Sequence, residues 1–250
     1  MIAKDVDALR ESQEKISLSN PKMGGINGES VFYRVIKDPQ YHIPEHALIS
    51  DALVFLAAGM DTTAHTLTLM TYHLLQNPDV YDKLMQEIEA HLPEIYDEAT
   101  SSSLLQLPYL SATIKEALRM STGVPNGMRR IVPSEGHIVD GKQLPPGTVI
   151  IHPNYVSHFD EEVFPEPNRF KPERWIEATP EQYKEMDRNS NPFLRGARAC
   201  LGIHLAYSEL HMATAHLFRR FKFSFVDAAE AEDNILNWVD QNLPQFKGYV

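Results

Sequence analysis

The chain has 250 residues, 43% of them hydrophobic, and its 23 Lys and Arg residues against 34 Asp and Glu residues give a net charge of −11. This apolar content is enough for a folded core, and an acidic chain without a basic tract is a poor candidate for nucleic-acid binding, which depends on neutralising phosphates. The single cysteine excludes an intramolecular disulfide and a zinc site built on two or four cysteines. Because the longest apolar stretch, residues 52–60, is shorter than the ~20 residues of a bilayer-spanning helix, we predict no membrane anchor in this chain.

The first half of the chain is predicted to be helical. Residues 1–28 are polar and end in a segment rich in Gly and Asn, which is typical of a loop. Residues 48–58 are apolar on nearly all sides, so we expect the helix that contains them to run through the interior. Helices are predicted over residues 44–76, 79–91 and 112–120.

From Gly123 onwards the pattern changes to short strands and turns. Asp140 and Gly141 have the composition of a tight hairpin turn. Residues 164–192 carry five of the 17 prolines and are expected to be irregular, and a last helix is predicted over residues 201–221. The predicted fold class is therefore mainly α with small β elements. Strands are predicted at residues 131–132, 137–139 and 148–151, and a further one at residues 223–225.

The only cysteine, Cys200, lies in the run FLRGARACLG, residues 193–202. A helix is predicted directly after the sulfur, and its free N–H groups and dipole favour a thiolate there. Gly196 permits a tight turn, and Gly202 leaves room for a flat partner against the backbone. Arg198 could pair with an anionic group of that partner. The alternative, which the residue type alone favours, is a buried and inert cysteine.

The pattern F-x-x-G-x-R-x-C-x-G in this run resembles the haem-binding signature of the cytochrome P-450 family, and every fixed position matches. The resemblance implies that Cys200 is the axial metal ligand of a haem b, with Phe193, Arg198 and Gly202 in the cofactor-binding loop. A thiolate ligand in that position pushes electron density onto the iron and favours O–O cleavage.

A second segment, Ala58-Gly59-Met60-Asp61-Thr62-Thr63, resembles the oxygen-activating segment of the same family. The resemblance implies that Asp61 and Thr62 are catalytic, as an acid–alcohol pair that delivers protons, and that Gly59 gives clearance over the haem. Gly, Asp and Thr are poor choices inside a helix, and such local conflicts are expected at functional sites. A water-filled kink, or a helix N-cap at Asp61, remains the alternative.

Two further motifs point to a structural charge network. Glu116 and Arg119 are similar to the family's ExxR pair, and the spacing puts both side chains on one helix face. Residues 170–175 resemble the family's PERF-like segment, which implies that Arg174 joins the pair in a buried network. The implied role is to lock the Pro-rich segment so that the cysteine loop is correctly placed. An exposed ion pair is the alternative for Glu116 and Arg119 taken alone.

A basic residue is also expected at the edge of the cofactor. Arg130 resembles the family arginine that pairs with a haem propionate, and its neighbour Arg129 is an alternative, with His152 a weaker candidate near the same edge. The spacing of the three histidines on the last predicted helix does not give the i,i+4 pair of a zinc site. We interpret these three as surface or packing residues: His204, His211 and His216.

The resemblance implies a haem-dependent monooxygenase that inserts one oxygen atom from O₂ into an apolar small molecule, with electrons from an NADPH-dependent flavoprotein reductase. The chain looks most like filamentous-fungal members such as trichodiene oxygenase, which implies secondary-metabolite biosynthesis. A haem-thiolate isomerase or dehydratase that needs no O₂ is an alternative, against which the Asp61–Thr62 pair argues. Family members of this type are usually anchored to the endoplasmic reticulum, whereas no anchor is predicted here.

The resemblance begins at about residue 30 and corresponds to the C-terminal half of the cytochrome P-450 fold. That half comprises a long central helix, the ExxR helix, a small sheet, the Pro-rich meander, the Cys loop and the last helix. We expect residues 1–28 to be the remnant of a preceding helical region and residues 29–250 to be the haem-binding part. The alternative function is a truncated, non-catalytic fragment that binds haem weakly or not at all.

Overall fold

The computed structural model describes residues 43–125, 127–229, 232, 239–240 and 244–245. The chain separates into two units, one ending at Ala58 and the other beginning at Gly59. The loop and the remnant expected at residues 1–28 lie outside the described residues, and the domain boundary expected there stays a prediction.

The long helix that the sequence predicts is present as α1, Glu45–Gln76, 32 residues in length. It ends where expected, because Pro78 follows closely and opens the next helix at a position where its missing N–H is no loss. In the first unit, α1 is held by its own bonds, such as the one that Ser50 Oγ donates to the carbonyl oxygen of His46, 2.8 Å away.

The expectation that residues 48–58 run through the interior is wrong. Leu53, Val54, Phe55 and Leu56 are exposed by 49–63% of their surface. Local composition shows that this part of the helix is apolar. Whether it is buried depends on packing by other parts of the chain, which a local pattern does not describe. Within α1, burial begins in the second unit. The buried residues of α1 are His65, Thr66, Leu69, Met70 and Leu74.

Among the described residues, α1 is also long and apolar enough to cross a membrane, by length and composition only. The uninterrupted apolar stretch is short, but the helix remains apolar on average because polar residues such as Asp61 and His65 occur in it only singly. Helices of soluble proteins share this length and composition, so the property assigns no location.

The main core of the second unit lies between helices, and their apolar residues recur at a spacing that places them on one face. Val80, Leu84 and Ile88 recur every four residues and form one buried stripe of the helix Pro78–His91. This stripe joins a single buried cluster with Leu110 and Leu210, which belong to two other helices. The helices of this region are α2 (Pro78–His91), α3 (Ser101–Leu104), α4 (Pro108–Ser121), α5 (Asn154–His158), α6 (Glu173–Ile176), α7 (Pro180–Asn189) and α8 (Ile203–Arg220).

Helix α4 is one turn longer at its start than the sequence predicts. Pro108 looks like a helix breaker but occupies the first turn, where proline is tolerated. The helix stops at Thr122, which has a left-handed backbone with φ of 55°, followed by Gly123 with φ of 59°.

Three antiparallel strand pairs account for the β elements of the described residues. The predicted hairpin turn is confirmed: Asp140 and Gly141 both have positive φ, as a two-residue hairpin turn requires, and Ile138 lies opposite Gln143. The pairs are β1 (Arg130–Ile131) with β4 (Val149–Ile150), β2 (His137–Val139) with β3 (Lys142–Leu144), and β5 (Val239–Asp240) with β6 (Pro244–Gln245).

The strand predicted at residues 223–225 is not formed. The two aromatic residues there pack on helices instead, with the Phe223 ring centroid 4.9 Å from that of Phe218 and the Phe225 ring 5.8 Å from that of Tyr72. Their alternation reflects one partly buried face without a partner strand.

The Pro-rich segment is more regular than expected, because prolines begin its helices. Pro180 opens α7, and Thr179 and Gln182 form a capping box in which each side chain bonds the backbone of the other. The cysteine follows a short 3₁₀ turn, Gly196–Arg198, and α8 begins three residues after the sulfur, with Gly202 as its N-cap.

Candidate functional site

The centre of the site is the carboxylate of Glu116 in α4, which accepts five hydrogen bonds. Arg119 donates its Nε to Oε2 at 3.0 Å and its Nη2 to Oε1 at 2.8 Å, and Arg174 donates its Nε to Oε1 at 3.0 Å. The backbone N–H of Lys171 and the indole N–H of Trp175 donate at 3.1 and 2.9 Å. Glu116 and Arg119 are fully buried, so the alternative of an exposed pair is wrong.

The two arginines extend this network into the Pro-rich segment. Arg119 donates to the carbonyl oxygens of His158 and Pro167, each at 2.8 Å, and Arg174 donates to that of Pro165 at 2.9 Å. Each guanidinium therefore connects the Glu116 carboxylate to backbone carbonyl oxygens between residues 158 and 167. The structure brings Glu116, Arg119 and Arg174 together, which the sequence motifs predicted without showing the contacts.

The ionisation of Glu116 follows from two opposing effects. Burial favours the neutral acid and raises its pKa, but the hydrogen bonds and charge of Arg119, the charge of Arg174 and the N–H of Lys171 favour the carboxylate. The net result is a pKa below the usual range. The network therefore holds a buried anion between two cations, which is costly to break once it is formed.

A second layer connects this network to the segment before the cysteine. His158, fully buried at the end of α5, donates its Nδ1 to the carbonyl oxygen of Arg119 at 2.8 Å. Its Nε2 accepts the backbone N–H of Asn191 at 2.7 Å. Burial lowers the pKa of His158 to about 4, an effect that the bond to Arg119 only partly offsets. The ring is neutral at physiological pH.

The backbone of Asn191 leads directly to the cysteine loop. Its carbonyl oxygen accepts from the side-chain amide of Asn154 and from the N–H of Leu194, each at 3.1 Å. Two residues further on, the carbonyl oxygen of Phe193 accepts the N–H of Cys200 at 2.9 Å. The cysteine backbone is thus held by residues that the buried network positions.

Cys200 itself is a free, exposed thiol, so the alternative of a buried cysteine is wrong. Gly196 has φ of +77°, which the turn needs and which a side chain would strain. At Gly202, a Cβ would lie 3.8 Å from the sulfur, an ordinary contact. Arg198 is exposed at the end of the 3₁₀ turn, and Leu201 beside the sulfur is 91% exposed.

The residues of the predicted oxygen-activating segment lie within α1. Asp61 is exposed, Thr62 is partly buried, and a Cβ built on Gly59 meets nothing within 4 Å. The helix continues through all of them, with Thr66 Oγ1 donating to the carbonyl oxygen of Thr62 at 3.0 Å. The N-cap alternative at Asp61 is therefore wrong, and the cooperation of Asp61 and Thr62 with Cys200 stays a prediction.

The basic candidates lie at the strand edge. Arg130 begins β1, is exposed, and donates its Nη1 to the carbonyl oxygen of Arg129 at 2.9 Å; His152 is also exposed. The propionate role stays a prediction for all three.

The histidines of α8 differ in their surroundings. His204 is exposed, whereas His211 is buried, with its Nδ1 donating to the carbonyl oxygen of Tyr207 at 2.7 Å and its Nε2 3.1 Å from Ser111 Oγ. His216 is partly buried. These surroundings agree with surface and packing positions.

Three residues of the site have contacts that the sequence motifs do not predict: His158, Asn191 and Trp175 through its indole N–H. For Trp175 a signal existed, because a buried indole needs an acceptor and the neighbouring Arg174 was already assigned to the carboxylate. His158 and Asn191 have no local pattern, since each acts through contacts more than 30 residues away.

Comparisons with known proteins agree with this geometry. The family model for cytochrome P450 matches residues 30–245. The chain is 37% identical over 229 residues to the cytochrome P450 monooxygenase aneF of Aspergillus aculeatus, covering 90% of this chain and 45% of the relative. It is 38% identical to the cytochrome P450 monooxygenase phqM of Penicillium fellutanum, covering 77% and 36%.

A third relative has a more specific name, the N-acetyltryptophan 6-hydroxylase ivoC of Emericella nidulans. The identity is 37% over 188 residues, which cover 74% of this chain and 36% of the relative. The chain thus spans less than half the length of each of these three relatives. The family model and the relatives cover most of the chain, including the buried network and the cysteine loop, and so this chain is a member of the cytochrome P450 family.

Proposed function

We propose that this chain is the haem-binding part of a cytochrome P450 monooxygenase that hydroxylates or epoxidises an apolar organic substrate. The observation that carries the proposal is the path of hydrogen bonds and short chain segments from buried Glu116 to the backbone of Cys200. Such a path holds the backbone of the residue that would bind the haem iron, and a positioned ligand needs support of this kind. The names of the relatives support the reaction class.

The residues present fit a haem b. Cys200 is a single soft donor on the surface, three residues before the start of α8. Leu201, the next residue in the chain, and Leu205 in α8 are exposed and would offer apolar contact to a porphyrin. When bound, haem with a thiolate ligand supplies the activation of dioxygen.

The chain's own residues then have separate roles. Phe193, Arg198 and Gly202 shape the cofactor loop, and Glu116 with its two arginines holds that loop in place. Asp61 and Thr62 would hold and transfer protons at a bound haem, and Gly59 leaves open space beside them. The exposed guanidinium of Arg130 would pair with a propionate of the haem.

The proposed substrate class is supported by the names and fungal origin of the relatives, and the proposed electron donor by membership of the family. Their fungal origin supports a small, apolar molecule of secondary metabolism, and one of them is named for the hydroxylation of N-acetyltryptophan. An NADPH-dependent flavoprotein reductase is the proposed electron donor.

A second candidate is a non-catalytic fragment. The observation in its favour is the exposed apolar surface of α1 at residues 53–56, because contiguous apolar surface of this kind favours association over a closed pocket.

The proposal is tested on the 250-residue chain, expressed with haem supplied, reduced and exposed to carbon monoxide. A strongly red-shifted Soret band is expected, and Cys200→Ala is expected to abolish it while leaving the far-UV spectrum unchanged. His204→Ala is the matched control, because it removes an exposed imidazole four residues from the sulfur without touching the thiolate. A soluble, folded chain without this band would contradict the proposal, and a band without substrate turnover would favour the fragment.

A further inference from the structure

A single buried histidine joins the charge network to the cysteine loop. We propose that His158 is a positioning residue for the thiolate, and that it acts by accepting the backbone N–H of Asn191 on its Nε2, 2.7 Å away. This inference rests on the proposed function only in taking Cys200 as the haem ligand.

The contacts form one path. The carbonyl oxygen of Arg119 accepts Nδ1–H of His158, Nε2 of the same ring accepts the N–H of Asn191, and the carbonyl oxygen of Phe193 accepts the N–H of Cys200. Only two chain bonds between residues separate Asn191 from Phe193. Displacing the Asn191 backbone therefore displaces the acceptor that fixes the cysteine.

Few side chains other than histidine could make this connection. The neutral ring has one donor and one acceptor on opposite sides, and the carbonyl oxygen of Arg119 requires the hydrogen on Nδ1, which leaves Nε2 as the acceptor. Burial keeps the ring neutral, with the guanidinium of Arg119 and the nearby His152 acting in the same direction. A protonated ring would have a donor on Nε2 and could not accept the N–H of Asn191.

Two side chains of α5 bind the backbone of Asn191. His158 takes its backbone N–H, and Asn154, at the start of the same helix α5, donates to its carbonyl oxygen at 3.1 Å. Helix α5 therefore holds the Asn191 peptide groups on both sides. The side chain of Asn191 in turn accepts from Arg195 in the cysteine loop.

Two substitutions separate the acceptor from the donor. In His158→Gln, the side-chain carbonyl oxygen reaches the position of Nε2 and can still accept the N–H of Asn191. In His158→Asn, the shorter amide reaches the position of Nδ1 and can still donate to Arg119, but nothing accepts from Asn191. A merely structural role would make the two variants differ only in stability.

The first measurement uses the chain without cofactor. Amide hydrogen exchange of Asn191 is expected to be about fivefold or more faster in His158→Asn than in the wild type, the loss that one buried hydrogen bond gives, and near the wild-type rate in His158→Gln. His211→Asn and His211→Gln are the matched controls, because His211 is buried in the same way but contacts Tyr207 and Ser111. Equal exchange in both His158 variants would overturn the proposal.

The second measurement uses the haem-loaded chain and compares the fraction of the carbon monoxide complex with the red-shifted, thiolate-type band. This fraction is expected to fall in His158→Asn, to recover in His158→Gln, and to be unchanged in both His211 variants. If the wild type gives no such band, the proposed function fails while the exchange data still decide the role of His158. If the wild type gives the band and the two His158 variants have equal fractions, the inference fails and the proposed function stands.

Discussion

The carboxylate of Glu116 determines the arrangement of more groups than any other side chain in the site. We expect Glu116→Ala to lower the free energy of unfolding by about 3–5 kcal/mol, because it leaves two buried guanidinium groups without their anion. Urea unfolding monitored by circular dichroism measures the loss.

The control for this substitution is Glu166→Gln, which removes an ion pair with Arg169 at the same i,i+3 spacing but on the surface. Exposed pairs contribute at most about 1 kcal/mol, so this variant is expected to unfold close to the wild type. Similar losses of unfolding free energy in the two variants would mean that burial does not determine how much the Glu116 ion pairs contribute to stability.

Residues of the site could be predicted from the sequence where a motif fixes their type and spacing. Glu116, Arg119 and Arg174 were assigned in this way, together with their common network. His158 could not be assigned, because its two partners lie 39 residues before and 33 residues after it in the chain. A contact of that range depends on how α5 packs, and the local sequence carries no sign of it.

At the scale of elements, helices were predictable and their buried faces were only partly so. The end of α1 and the hairpin turn at Asp140 and Gly141 follow from local backbone preferences. The exposed start of α1 and the missing strand at residues 223–225 do not, because burial and strand pairing are decided by distant parts of the chain.

The two parts of α1 differ in burial, which allows a matched pair of substitutions. Leu74→Ala is expected to lower the free energy of unfolding by about 2–5 kcal/mol, because Leu74 is fully buried in the main core. Leu56→Ala makes the same chemical change in the same helix at a position 63% exposed, and a change within about 0.5 kcal/mol is expected. Since helix propensity changes equally in both, the difference measures burial alone. Equal losses in chemical unfolding would show that residue 56 is covered in solution.

At the scale of the whole molecule, two histidines, the partly buried His73 and the fully buried His158, make stability depend on pH. Burial lowers the pKa of both His73 and His158 to about 4; Glu116 opposes and Arg119 adds to the effect on His73. The unfolded chain binds the proton with the ordinary pKa of about 6.5. Stability from these groups is therefore complete above pH 6.5 and is lost progressively as the pH falls towards 4.

The contribution of His158 has to be separated from that of other groups, because their charges also change in the same pH range. Lowering the pH also reduces the net charge of −11, which relieves repulsion and acts in the opposite direction. Comparing wild type with His158→Gln cancels this shared effect, since glutamine does not titrate.

Between pH 7 and 5.5 the wild type should lose about 1 kcal/mol more than His158→Gln, since pH 5.5 lies one unit below the unfolded pKa and well above the folded one. Carboxylates stay largely ionised in this range in both states, so they add little to the difference. Urea unfolding of both proteins at the two pH values measures it. Parallel losses in the two proteins would mean that the folded chain takes up a proton at His158 over the same pH range as the unfolded chain, and a protonated ring could not accept the N–H of Asn191.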